Sequence, residues 1–341
     1  MEPVFHKCRF SMLALLGGLA LMAVSPARSQ EPIVIKFSHV VAADAPKGRG
    51  AERFKELAEE RTRGRVRVEL YPNSTLYKDK EEVEALQLGS VQMLAPSFGK
   101  FGPLGVKEFE VFDIPYLFPS QAFVERLESG PVGRKLMAKL EAKGFTGLAF
   151  WDNGFKILSA NKPIVVPSDL KGLKMRIYSS RVVEAQMSAL AAIPQVMGFG
   201  DVYQALQTGV VDGAENPWST MYTQKIHEVQ KYAADTYHGY LGYVVIVNSK
   251  FWSGLPPDIR GALESAMNDA TRYEHEIASK DNEDAMAAIE RSGRTKVTHL
   301  TVEQRAAWAK ALLPVRDEVA GRIGKDVIDE VVKEQALAGL R

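Results

Sequence analysis

An α/β fold of two similar lobes is what the sequence predicts, on three observations. From Pro32 onward, short β-branched runs alternate with amphipathic helical stretches, the pattern of parallel strands joined by helices. The order strand, helix, strand, helix, strand occurs twice. Within it Ala85-Leu86-Gln87-Leu88-Gly89-Ser90-Val91 returns as Ala205-Leu206-Gln207-Thr208-Gly209-Val210-Val211, at an offset of 120 residues. Finally, residues 256–292 hold a helical period too long for one small lobe.

Taken in order, the chain of 341 residues opens with a positive start at His6, Lys7 and Arg9, followed by an uncharged apolar run over 10–24. Ala27-Arg28-Ser29 is a small-x-small site, so a secretory signal peptide cleaved after Ser29 is expected, the alternative being an uncleaved anchor. No later segment reaches the roughly 18 apolar residues that a membrane span needs. No direct membrane insertion is therefore expected once the signal is gone.

Residues 33–38 read as a strand. Residues 48–62 form a helix with Ala51, Phe54, Leu57 and Ala58 on one stripe and Gly64 after its end. Strand 65–71, helix 79–88 ended by Gly89, and strand 91–95 complete the first unit. The second runs as strand 173–178, helix 180–191, strand 193–197, helix 201–208 ended by Gly209, and strand 210–214. Pro256-Pro257 then starts a helix that Gly293 ends, with Ile259, Leu263, Met267, Ala270, Tyr273, Ile277, Ala285 and Ile289 on its apolar side. Such a helix is on the order of 50 Å long and touches both lobes. The alternative is two helices broken near Lys280-Asp281-Asn282.

Charge and motifs exclude several functions. Lys plus Arg number 43 against 42 Asp plus Glu, a formal charge of +1 that offers no field for nucleic acid or an anionic membrane. The one cysteine, Cys8, lies in the signal segment, which rules out a disulfide framework or a thiolate metal site in the exported chain. No nucleophile elbow, phosphate loop, dinucleotide fingerprint or His-Glu-x-x-His occurs. His39, His227, His238, His275 and His299 make no i, i+4 pair, so neither metal nor cofactor is expected. Asp79-Lys80-Glu81-Glu82 reads as a solvated helix start where acidic side chains meet the helix dipole.

Open α/β sheets bind ligands beyond the carboxyl ends of their strands. In the first lobe that position holds His39, Lys47 and Ser97; in the second it holds Arg176 and Asn216. Arg176 alternates with Leu173, Met175 and Ile177, so it points away from their face or out of the strand end. A guanidinium there either grips a carboxylate with two parallel hydrogen bonds or pairs with a neighbouring acid.

The runs from Phe37 to Ser97, DIPYLF, FWDNGFKILSANKPI, DLKGLKMRIYSS and ALQTGVVDGAENP resemble the solute-binding proteins of TRAP transporters, DctP type, over essentially the whole mature chain. The resemblance implies a periplasmic two-lobed solute-binding fold with a long helix spanning both lobes, which close over the ligand about a hinge. Crossovers near Gly154, Leu241 and Asn282 would make lobe I residues 30–153 plus 242–281 and lobe II residues 154–241 plus 282–341. It gives Arg176 the salt bridge to the ligand's carboxylate and makes Asn216 a cleft donor. Lys156, after Asn153-Gly154-Phe155, stands where many members carry a second arginine. It keeps that charge and loses the planar fork. The expected function is capture of a C4-dicarboxylate (succinate, fumarate or malate) and its delivery to TRAP membrane permease subunits. A monocarboxylate or 2-oxo acid is the alternative within the class, and an exported hydrolase or isomerase the alternative outside it.

Overall fold

The structure, a computed structural model, describes residues 31–339; the expected signal peptide and its cleavage site lie outside them. The first unit follows the order read from the sequence: β1 (Ile33–Ser38), α1 (Pro46–Arg61), β2 (Val66–Tyr71), α2 (Glu82–Gln87) and β3 (Met93–Leu94). Two 3-10 turns (Phe98–Phe101 and Lys107–Asp113) and helices α3 (Gln121–Ser129) and α4 (Pro131–Glu141) lead to β4 (Phe145–Phe155). Next come β5 (Ile157–Ala160), β6 (Lys174–Ile177), α5 (Arg181–Ala189), β7 (Ile193–Val196), α6 (Val202–Gln207), β8 (Gly213–Asn216), α7 (Trp218–Thr223) and β9 (Tyr232–Ala234). The chain ends with β10 (Tyr240–Asn248), α8 (Ser249–Ser253), α9 (Pro257–Ser292), β11 (Lys296–Thr298), α10 (Val302–Ile323) and α11 (Lys325–Leu337).

Two sheets define the lobes, with orders β2-β1-β3-β10-β4 and β11-β9-β5-β8-β6-β7. Each contains three parallel strands, β2-β1-β3 and β7-β6-β8, followed by an antiparallel strand, β10 or β5. The repeated letters fall on equivalent positions: α2 and α6 both end at a left-handed glycine, Gly89 with φ 77° and Gly209 with φ 73°. An L side chain is strained there, so glycine lets the chain reverse into the next strand.

The sequence pattern missed the crossings. β4 of the first sheet runs into β5 of the second with only Lys156 between them, and the chain returns between β9 and β10. The two crossings are tied where Lys156 N donates to Gly239 O at 2.8 Å. Residue 239 must be small, because a Cβ there would lie 2.8 Å from Lys156 Cε.

The long helix is unbroken. α9 packs its apolar side on α1, α7 and β4, burying Ile259, Leu263, Met267, Ala270, Ala278, Ala285 and Ile289. The polar stretch that suggested a break is where the helix passes between the lobes. Asn282 donates to Asn153 O and accepts from Ser219 N at 3.0 Å, while Asp281 pairs with Arg49. Residues 282–341 contribute β11 to the second sheet, yet α10 rests on α5 and on the turn at Lys107–Asp113, and α11 rests on α3 and α4.

Candidate functional site

The carboxyl ends of β1, β3, β6 and β8 face one cavity between the lobes, with about 460 Å³ of atom-free space that is partly open to solvent. Lys47, Ser97, Lys156, Arg176 and Asn216 all line it, together with Asp79, Lys100, Glu215 and Tyr243.

Arg176 sits on β6, between β7 and β8, and is buried. Its Nε and Nη2 donate to the Met197 carbonyl at 3.2 and 2.8 Å, and its guanidinium lies 5.5 Å from the Phe199 ring centre. No carboxylate pairs with it among the described residues, so the structure does not contain the neighbouring-acid salt bridge. Burial lowers its pKa, opposed by the charges of Asp79 and Glu215, but a guanidinium stays protonated in proteins.

Lys47, in the first turn of α1, is the other buried cation without an ion pair among the described residues. Its Nζ donates to Ala95 O at 3.0 Å and stands 3.7 Å above the Tyr243 ring. Burial, then the nearby Lys100 charge, lowers its pKa to about 7, against the opposing pull of Glu82 and Asp79. Ser97 bridges to Tyr243 at the cavity wall, and Asn216, at the end of β8, has a buried Nδ2 with no hydrogen-bond partner.

Lys156 reaches the cavity with its charge already met. Nζ is 3.0 Å from Glu215 and 3.6 Å from Asp113, and all three groups are buried. Glu215 also receives a hydrogen bond from His238 at 2.9 Å. Burial pushes the Glu215 carboxyl up, but Lys156 and His238 together outweigh it and hold its pKa at about 2. Asp113 in turn accepts from Tyr178 and, at 2.7 Å, from Ser180. Lys156 thus anchors a buried network in which every charge has a partner.

Two expectations need correction. His39 does not line the cavity: it follows Phe37 at i+2 on the same face, and its ring packs edge-on against Phe37 at 6.3 Å. Burial, with Lys47 nearby, lowers its pKa to about 3 and keeps it neutral. Asp79 and Glu82 are not a solvated helix start; Glu82 is buried, Asp79 half-buried, and both pair with Lys100, Glu82 at 3.2 Å. Asp79 also accepts from Phe199 N at 2.9 Å, a bond from the first lobe to the second across the cavity. The 21-residue separation of Asp79 from Lys100 carries no pattern in sequence. Glu215 did carry a signal, since alternation on β8 places it on the opposite face from Ala214 and Asn216.

Of the four cations lining the cavity, Lys100 and Lys156 are neutralised by protein carboxylates, whereas Arg176 and Lys47 are not. Leaving two buried charges uncompensated costs free energy that an anionic ligand would recover.

Comparison with known proteins points the same way. Residues 37–322 match the family described as bacterial extracellular solute-binding protein, family 7 (DctP). A C4-dicarboxylate-binding periplasmic protein DctP of Rhodobacter capsulatus is 61% identical, over 93% of this chain and 96% of its own. Two solved TRAP periplasmic solute-binding proteins superpose closely. That of Sulfurospirillum deleyianum, with bound succinate, gives a TM-score of 0.86 at 46% identity, covering 89% of this chain and 99% of the other. That of Pseudomonas aeruginosa, with bound L-malate, gives 0.82 at 42% identity, covering 84% and 100%.

Proposed function

Because the chain belongs to the DctP family of bacterial extracellular solute-binding proteins, we propose that it captures a C4-dicarboxylate such as succinate, fumarate or malate and hands it to TRAP membrane permease subunits. The role is binding; no bond is made or broken. The observation that carries the ligand class is the pair of buried cations, Arg176 and Lys47, in one cavity, neither of them in an ion pair among the described residues. Two carboxylates neutralise both. A monocarboxylate leaves one of them uncompensated. Asn216 Nδ2 and the Ser97 hydroxyl supply neutral donors beside them.

The reading includes export to the periplasm with cleavage after Ser29, and closure of lobe I (30–153 plus 242–281) on lobe II (154–241 plus 282–341). The C-terminal helices contact both. Calorimetric titration of the mature protein with succinate and with butyrate, which shares the four-carbon chain and lacks the second carboxyl, tests the proposal. Succinate is expected to bind at least about tenfold more tightly, since each charge-assisted hydrogen bond contributes about 1.5–3 kcal/mol. Equal affinities would contradict it.

A further inference from the structure

Outside the ligand cavity, a second group of ionisable side chains converges where α3, β4 and α9 meet. Sequence spacing pointed to no metal site, because these residues come from three distant segments. Glu125 on α3, Asp152 on β4 and His275 on α9 bring ligand-type atoms within 4.8 Å of one another. Gln121 Nε2 holds two of them in register, donating to Asp152 at 2.8 Å and to Glu125 at 3.1 Å. Tyr240 OH donates to the other oxygen of Asp152. His275 Nε2 lies 3.0 Å from the Phe150 carbonyl. A carbonyl can only accept, so Nε2 carries the proton and Nδ1 of the neutral ring keeps the lone pair. This is how protein metal sites fix the tautomer of a ligating histidine.

An independent observation marks the place as built for a cation. Glu128, one turn along α3 from Glu125, is 6% exposed, and neither of its carboxylate oxygens has a hydrogen-bond partner. Burial, then the charges of Asp152, Glu274 and Glu125, pushes its pKa up, so it lies near the same cluster. Glu274 accepts from Asp152 N at 2.9 Å and leaves its other oxygen buried and unpaired. None of these four carboxylates forms a salt bridge among the described residues, so no protein cation contacts the cluster. A proton on Glu128 would remove its charge and still leave a buried acceptor unsatisfied. A cation held by the neighbouring Glu125, Asp152 and His275 would offset its charge.

We propose that Glu125, Asp152 and His275 form a site for one divalent transition cation, Mn²⁺ or Zn²⁺, distinct from the ligand cavity, with Glu128 and Glu274 beside it. One imidazole with two carboxylates matches these metals better than Ca²⁺ or Mg²⁺, which favour oxygen ligands alone. Glu125 and His275 are only half-buried and give the ion a way in from solvent. Bound there, it clamps α3 and β4 of the first lobe to the long helix.

The test uses tag-free mature protein dialysed against EDTA, titrated calorimetrically with MnCl₂, ZnCl₂ and, as the hard-cation control, CaCl₂. One equivalent of Mn²⁺ or Zn²⁺ is expected to bind more tightly than Ca²⁺ and to raise Tm. Glu128→Gln and His275→Gln are each expected to weaken that binding about tenfold or more, while succinate affinity, measured in separate metal-free titrations, stays unchanged. Circular dichroism of both variants verifies that they fold. Absence of one-equivalent binding, or binding equally strong in both variants, would overturn the proposal. If Glu128→Gln also raises Tm of the metal-free protein and metal has no effect on the wild type, the carboxyls are neutralised by protons instead.

Discussion

Arg176 and Met197 form a two-pronged contact: Nε and Nη2 of the guanidinium both donate to the Met197 carbonyl, at 3.2 and 2.8 Å. The contact fixes the guanidinium plane from one side and leaves Nη1 without a protein partner at a cavity wall. Arg176→Lys keeps the charge and loses both the clamp and the fork. Succinate affinity is expected to fall by roughly 2 kcal/mol, about thirtyfold, by calorimetry. An unchanged affinity would show that charge alone suffices at this position.

Lys156→Met tests a different role. Glu215 and Asp113 are buried beside Lys156, and removing it leaves an uncompensated charge in the interior. The unliganded protein is expected to lose about 3–5 kcal/mol of stability by chemical denaturation. Lys156→Arg, which preserves the charge, is expected to lose less. If Lys156→Met lowers affinity and leaves unliganded stability unchanged, Lys156 serves the ligand and the network is secondary.

Lys47 makes binding depend on pH. In the unliganded protein its pKa is about 7, lowered by burial and Lys100. A carboxylate beside it favours the charged form and raises that value. Below about pH 7 the proton is already present and affinity is level; above it, binding takes up a proton and affinity falls as pH rises towards the liganded pKa. Titrations at pH 8 in two buffers of different ionisation heat are expected to show net proton uptake. Zero uptake would mean that Lys47 does not meet the ligand's charge.

Asp79 links the two lobes. Its carboxylate joins Lys100 of the first lobe to the Phe199 amide of the second, at 2.9 Å for the latter. Asp79→Asn keeps the size and weakens a charge-assisted bond that exists only when the lobes meet. Stopped-flow dissociation of succinate is expected to quicken about tenfold, in line with the loss of about 1.5 kcal/mol, while association changes little. An unchanged dissociation rate would show that this bond does not hold the closed form.

The parts of the fold legible in sequence are those set by local chemistry. The strand at Ile33–Ser38 and the stripe Ala51, Phe54, Leu57, Ala58 declare themselves by period, and the glycines at 64, 89 and 209 mark their turns. The fourth strand of each sheet was not legible as such. β10 and β5 owe their places to pairing with strands far away in the chain, β3 and β4 for one, β8 and β9 for the other. The site follows the same division. Arg176, Lys47, Ser97 and Asn216, read from strand ends, line one cavity; the neutralisation of Lys156 was hidden, since Glu215 lies 59 residues away. His39 was misplaced by counting it as a strand end when its i+2 relation to Phe37 already put it in the core.

The most direct test of the central claim, that Arg176 and Lys47 hold the two carboxylates of one C4 acid, is calorimetry of succinate and butyrate on wild type and Lys47→Met at fixed pH and salt. The variant should lose about 1.5–3 kcal/mol for succinate and far less for butyrate, whose single carboxylate is held by Arg176. Equal losses for the two acids would place Lys47 on the same carboxylate as Arg176 and contradict the account.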